Sequence, residues 1–284
     1  MLEASRVTVR LGARPVLRDA DLRARPGTVT AIIGPNGSGK TTLLRALTGE
    51  IACEGRIALN GIDVATARPA RLAAIRAVLP QATPLAFPFL AAEVVRLGLR
   101  SGLSAGDHAL VDEALSAVGL HGAAARPYQD LSGGERQRVQ LARVLAQVWH
   151  ATGPDGPRWL FLDEPVAGLD IAHQLMVMDL ARAYADAGGG VVAVMHDLNL
   201  TAMFADRVAL LAGGRVLGTG APGAIIADRP LSEAYGCTLR ANVPPARSAY
   251  VLPQACGPAP RGRTRPRSGD ALGPPPADGP HEPL

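Results

Sequence analysis

The sequence predicts an α/β fold, a mostly parallel sheet covered by helices. Three observations carry that expectation. Short apolar, β-rich runs alternate with stretches of helical period, one run passes straight into a glycine-rich loop, and another ends in paired carboxylates. With 284 residues, 48% hydrophobic and 19% charged, the chain can bury a substantial core, which excludes a disulfide miniature. No stretch reaches the roughly 20 uninterrupted apolar residues of a membrane-spanning helix. Met1 to Leu17 lacks the basic start, apolar run and small-residue cleavage site of a secretory signal. A soluble protein of the cytoplasm is the expectation.

Taken in order, Thr28–Ile33 (TVTAII) reads as a buried strand, and a helix follows the glycine-rich loop from about Thr41 to Gly49. Glu54–Val64 reads as a hairpin turning at Asn60-Gly61, a dipeptide that tolerates positive φ. From Leu90 to His150 the period becomes helical. Ser104 can cap a helix running to Val118, and Gly133–His150 carries apolar residues at Val139, Leu141, Val144, Leu145 and Val148. Trp159–Leu162 and Gly190–Met195 are short enough for central parallel strands. Arg207–Gly218 makes another hairpin at Gly213-Gly214. The main unit therefore spans residues 1–252, with a helical insert at about 86–157. In the last 32 residues, 253–284, nine prolines and five glycines oppose regular structure, so this tail is expected to be disordered.

Cys53, Cys237 and Cys256 are far apart and form no CxxC pair, against a disulfide framework or structural zinc. The net charge of +4 is too spread for a nucleic-acid footprint, so no nucleic-acid partner is expected. Of 29 basic residues 28 are arginine, and the single lysine is Lys40.

Lys40 closes Gly34-Pro35-Asn36-Gly37-Ser38-Gly39-Lys40-Thr41, which fits G-x-x-x-x-G-K-[ST] between a strand and a helix and leads on to Thr42. Glycines let backbone N–H groups curl around phosphate oxygens, and the helix start adds its positive dipole end. A compact ammonium can sit on β- and γ-phosphates where a planar guanidinium would not fit. The Thr41 hydroxyl is placed for Mg²⁺. The run Trp159-Leu-Phe-Leu-Asp163-Glu164 delivers Asp163 for the metal and Glu164 as general base toward an attacking water. His196 ends another strand, where an imidazole can hydrogen-bond a phosphate oxygen. The other histidines show no metal-ligand spacing.

With Leu131-Ser132-Gly133-Gly134-Glu135 standing between these motifs, the sequence resembles the ATP-binding subunits of ABC transporters over about Val7–Gly236. The resemblance implies a RecA-like P-loop NTPase core with a helical subdomain and an antiparallel β edge, using ATP and Mg²⁺. It implies that Ser132, Gly133, Gly134 and Glu135 face the nucleotide of a second copy of the chain. Gln81 would contact Mg²⁺ and the attacking water, and Asp170 would communicate across the dimer. Membrane permease subunits would be the working partners and a periplasmic binding protein an indirect one, with the chain held at the cytoplasmic face of the inner membrane. Gly168-Leu169 stands where Ala-Leu is more usual. The compact plan resembles the ATPases of vitamin B12, siderophore and heme importers. Leu85–Leu90, Arg126–Asp130, Glu135–Trp149, Leu169–Gln174 and Met195–Asn199 look most like hemin-import subunits. ABC ATPases that act on DNA carry long inserts between the positions of Gln81 and Ser132, and those of translation join two cassettes; this chain does neither.

One departure concerns the base. The family stacks adenine on an aromatic residue upstream of the phosphate loop, but no aromatic precedes Phe87 here. Leu11 or Arg10 takes that place, so GTP is expected to compete with ATP. The apolar stretch Pro84–Leu90, with Phe87 and Phe89, is expected to receive a helix of the permease.

Overall fold

The computed structural model describes residues 1–81, 87–101, 109–244 and 249–255. It opens with β1 (Leu2–Leu11) and β2 (Arg14–Ala24), followed by β3 (Val29–Ile33), α1 (Lys40–Leu47), β4 (Glu54–Leu59), β5 (Ile62–Asp63), α2 (Pro69–Ile75) and β6 (Arg76–Leu79). The helical stretch holds α3 (Ala91–Ser101), α4 (Ala109–Ala117), a 3₁₀ turn at Tyr128–Asp130 and α5 (Gly133–Gln147). Then come β7 (Thr152–Gly153), β8 (Gly156–Pro157), β9 (Trp159–Asp163), α6 (Ile171–Asp186), β10 (Gly190–Val194), α7 (Leu198–Phe204), β11 (Arg207–Ala212), β12 (Arg215–Gly220), α8 (Pro222–Ile225) and α9 (Asp228–Tyr235).

Six strands form one sheet in the order β12-β11-β3-β10-β9-β6, parallel except for β12, which pairs antiparallel with β11 at the edge. In β3, β9 and β10 every residue is buried, which is why they read as short apolar runs without alternation. A second, antiparallel sheet runs β2-β1-β4-β5. Its long strands β1 and β2 lie outside the sequence-based expectation. Register shifts near Val7 and Val9 and positive φ at Arg6 (51°) and Asp19 (48°) break the two-residue period that would have marked them.

The phosphate-loop helix α1 lies between the sheets. Leu43, Leu44 and Leu47 join one core with Leu2, Leu17 and Leu22 from the antiparallel sheet and Phe161 and Val194 from the other. Each leucine so buried contributes roughly 1.5–3 kcal/mol as an upper bound. A second core packs α3, α4, α5 and α6 against the opposite face of the parallel sheet.

Both hairpins form as expected: Leu59 pairs with Ile62 around Asn60-Gly61, and Ala212 with Arg215 around Gly213-Gly214. Asn60 does more than turn, since its amide donates to the Pro157 carbonyl (2.7 Å) and accepts from the Trp159 indole (3.0 Å), tying the hairpin to β9. Helix α5 stops at Gln147, and the β7–β8 hairpin occupies 152–157, because Gly153 and Gly156 favour a tight turn over a helix. Ser104, expected to cap a helix, lies outside the described residues, as do residues 84–86 of the apolar stretch. Pro253–Ala255, the first residues of the expected tail, form a 3₁₀ turn, with the Gln254 amide near the Asn199 carbonyl (3.3 Å), and 256–284 lie outside the described residues. No helix among the described residues is long and apolar enough to cross a membrane.

Candidate functional site

The site forms where β3, β9 and β10 end. Between β3 and α1 the chain turns through Gly34 (φ 148°), Gly37 (75°) and Gly39 (104°), conformations that side chains rarely adopt. Packing makes Gly34 obligatory and crowds Gly39. A Cβ on Gly34 would stand 1.9 Å from the Leu211 carbonyl oxygen, and one on Gly39 would stand 2.8 Å from Leu17 Cδ2. Strand β2 and the end of β11 therefore press the loop into shape from two sides. The β11–β12 turn adds a strut, its Gly214 N–H donating to the Ser38 carbonyl (3.2 Å).

Lys40 is buried at the first turn of α1, and its ammonium donates to the Gly34 and Pro35 carbonyls (2.9 and 3.0 Å). Burial pulls its pKa down, while Glu164 and Asp163 push it back up. Thr41 donates its hydroxyl to Asp163 Oδ1 (3.1 Å), joining the phosphate loop to the end of β9. Burial raises the Asp163 carboxyl, and the Thr41 hydroxyl counters part of that rise.

Glu164 has φ 53°, a left-handed conformation that costs a non-glycine residue on the order of 1–3 kcal/mol. The turn aims its carboxylate into a cleft of about 570 Å³ lined by Val16, Asn36, Gly37, Gly39, Lys40, Thr41, Thr42, Gln81, Glu164 and His196. Both carboxylate oxygens are held: Gln81 Nε2 donates to Oε2 (3.0 Å), and His196 Nε2 lies 2.7 Å from Oε1. Gln81 follows β6, Glu164 follows β9 and His196 follows β10, so three neighbouring strand ends converge on one carboxylate.

Ser132–Glu135 are absent from this cleft. They start α5 as a capping box: the Glu135 N–H donates to Ser132 Oγ (3.2 Å), and the Ser132 N–H donates to the Glu135 carboxylate (2.8 Å). Ser132 and Gly133 are exposed. Asp170 caps α6, accepting from the His173 N–H (2.9 Å), and its carboxylate also meets the His173 ring (2.8 Å).

The family model described as ABC transporter matches residues 17–167. A hemin import ATP-binding protein of Roseobacter denitrificans is 60% identical over 255 residues, spanning 89% of this chain and 98% of the relative. One of Mesorhizobium japonicum is 54% identical over 260 residues, spanning 90% and 99%. The chain belongs to the ABC transporter family, among its ATP-binding subunits. Among solved structures, a dimeric ATP-binding cassette in a post-hydrolysis state with ADP and phosphate is 26% identical with a TM-score of 0.67, over 78% of this chain and 99% of that one. A putative metal-chelate type ABC transporter in an inward-facing conformation shares the fold, with a TM-score of 0.67 at 23% identity over 82% and 88%.

Two residues of this ABC subunit's site escape sequence reasoning. Val16 lines the cleft from β2, a strand the patterning does not reveal. Gln137, on α5, donates its amide to the Glu164 and Pro165 carbonyls (3.3 and 2.8 Å) and so connects the Ser132 helix to the carboxylate turn. A glutamine among the helix's polar residues carries no sequence signal of that contact. Of the two candidates for the base, Arg10 stands 3.7 Å from Glu54 across the sheet and Leu11 is exposed at the strand end.

Proposed function

We propose that this chain is the energy-coupling ATPase of a hemin importer, working as a pair of identical subunits at the cytoplasmic face of the inner membrane. The observation that carries the reading is the convergence of Lys40, Thr41, Gln81, Glu164 and His196 on one cleft, with Gln81 and His196 on the Glu164 carboxylate and Asp163 joined through the Thr41 hydroxyl. The hemin relatives supply its cargo. The ATP-binding domain spans residues 1–252.

In this reading Gly34, Pro35, Asn36, Gly37, Ser38, Gly39, Lys40, Thr41 and Thr42 hold the triphosphate of ATP through backbone N–H groups, the ammonium and the start of α1. Thr41 and Asp163 present hard oxygens 3.1 Å apart. Among the described residues no three His, Cys, Asp or Glu side chains gather to cage an ion. That set fits Mg²⁺, which keeps waters and phosphate oxygens and needs one or two protein donors. Thr41, Asp163 and Gln81 would hold it, and when bound it would neutralise charge on the phosphates. Glu164 takes a proton from the attacking water. His196 and Gln81 orient that carboxylate, and Lys40 stabilises charge on the transferred phosphoryl.

Ser132, Gly133 and Gly134 lie outside their own chain's cleft and complete the site of the second copy, with Asp170 at the dimer contact. Phe87, 72% exposed and set edge-on to Phe89 at 6.2 Å, presents an apolar surface to the permease, through which a periplasmic binding protein acts indirectly. Glu164→Gln tests the chemistry. Steady-state phosphate release should fall by about 100-fold or more, while ATP binding, read by equilibrium titration, persists. Hydrolysis at the wild-type rate would overturn the reading.

A further inference from the structure

The Arg126 guanidinium reaches across the connection between α4 and α5 to the Glu135 carboxylate, Nη1 to Oε1 at 2.6 Å and Nη2 to Oε2 at 3.5 Å. The same carboxylate is the one that closes the capping box on the Ser132 N–H. Glu135 therefore stands at the helix start that the proposed function places against a partner's phosphates, and its carboxyl is held down to about 2, chiefly by the Arg126 bond. It carries a negative charge at every working pH. A lone carboxylate there would repel the anion that the exposed amides of α5 attract.

Among the described residues, Arg136 and Arg138 on α5 direct their hydrogen bonds to backbone carbonyls and not to Glu135; the Arg138 charge acts on Glu135 through space and offsets part of it, while of these arginines Arg126 alone bonds the carboxylate. Arg136 donates from its guanidinium to the Leu131 and Gln129 carbonyls (2.8 and 3.2 Å), and Arg138 donates to the Val118 and Gly119 carbonyls (both 3.1 Å). The Arg126 main chain has separate work, its carbonyl accepting from the Ala91 N–H (2.9 Å) at the start of α3. A side-chain change at 126 leaves that bond in place.

We infer that Arg126 is a positioning residue for ATP capture between two copies of the chain: it cancels the Glu135 charge and fixes the carboxylate on the Ser132 N–H, so that the α5 start meets phosphate as a net attractive surface. The inference rests on the proposed ATP sandwich and deepens it.

The test uses the full chain carrying Glu164→Gln and follows ATP·Mg²⁺-driven pairing by analytical ultracentrifugation. Adding Arg126→Ala should weaken pairing about fivefold at low ionic strength, the scale of one charge near a helix start. The deficit should shrink in about 1 M salt, where the Debye length falls to about 3 Å. Adding Glu135→Gln to Arg126→Ala should restore pairing, because the uncompensated charge is gone. Arg126→Lys should retain most of it, and thermal melting of all variants checks that the fold is kept. If Arg126→Ala pairs normally, or if Glu135→Gln fails to rescue a folded Arg126→Ala protein, the charge-cancelling role is wrong. Should the parent with Arg126 intact fail to pair with ATP, the sandwich itself falls and this inference with it.

Discussion

The phosphate grip and the Ser132 helix start are both glycine-rich turns leading into a helix, yet the fold treats them oppositely. Around Gly34–Thr42 the chain closes on itself: Leu211, Leu17 and Gly214 fix the loop, and α1 lies buried between two sheets. Around Ser132–Glu135 the backbone is arranged just as definitely, by a capping box and the Arg126 ion pair, but Ser132 and Gly133 face outward. The first turn is braced from two sides and opens, at Asn36 and Gly37, onto its own chain's cleft. The second is ordered from behind and open in front, as the proposed function requires of a half-site that a second copy completes.

The comparison breaks most visibly in a mixing experiment. Chains with Lys40→Ala lose the grip and chains with Ser132→Arg lose the outward helix start, so each alone should be inactive. An equal mixture should recover up to about a quarter of wild-type ATPase activity, since half of the pairs contain one intact composite site. No recovery on mixing would mean that both turns serve the same chain's nucleotide.

A smaller effect sharpens the contrast in bracing. Gly34→Ala places a methyl against the Leu211 carbonyl and should cost about 2–4 kcal/mol of folding stability, read as a lowered denaturation midpoint. Gly133→Ala meets nothing within 4 Å, and its melting curve should stay close to wild type. Equal losses at the two positions would deny the difference in support.

Phe87→Ser with Phe89→Ser should impair assembly with the permease; Phe87 contributes exposed surface, whereas Phe89 is half-buried against the core, so its loss lowers stability as well. Purified complex that survives both changes with coupled hydrolysis would exclude this docking face. The smallest effect concerns the base. With Val16 in the cleft and no aromatic platform upstream of the phosphate loop, the base loses about 1 kcal/mol of stacking affinity, and GTP should compete within about tenfold of ATP. A strong ATP preference in competition binding would show that contacts other than stacking choose the base.

The legible parts of the molecule share a local cause. The buried strands β3, β9 and β10 are runs in which, Asp163 at the end of β9 apart, every side chain is apolar or small because both faces are covered, and Lys40, Glu164 and His196 follow their ends within seven residues. Strands β1 and β2 were illegible because bulges shift their alternation, and Val16 went unseen with them. The β7–β8 hairpin was hidden inside a stretch of otherwise helical composition.

Sequence alone pointed to the residues proposed to bind phosphate and to act as base, since these readings depend on residue type and short spacing along the backbone. It also determined the turns at Asn60-Gly61 and Gly213-Gly214, where positive φ selects the residues. Only the tertiary structure decided that Gln81 and His196 hold the two oxygens of Glu164, that Gln137 ties α5 to the carboxylate turn, and that Arg126 cancels Glu135. Apart from the Arg126 pair, these contacts join residues 27 to 83 positions apart, brought together by the order in which strands pair and helices pack over them. Nine positions separate Arg126 from Glu135, but the bend of the connecting loop, which no local pattern specifies, brings guanidinium to carboxylate.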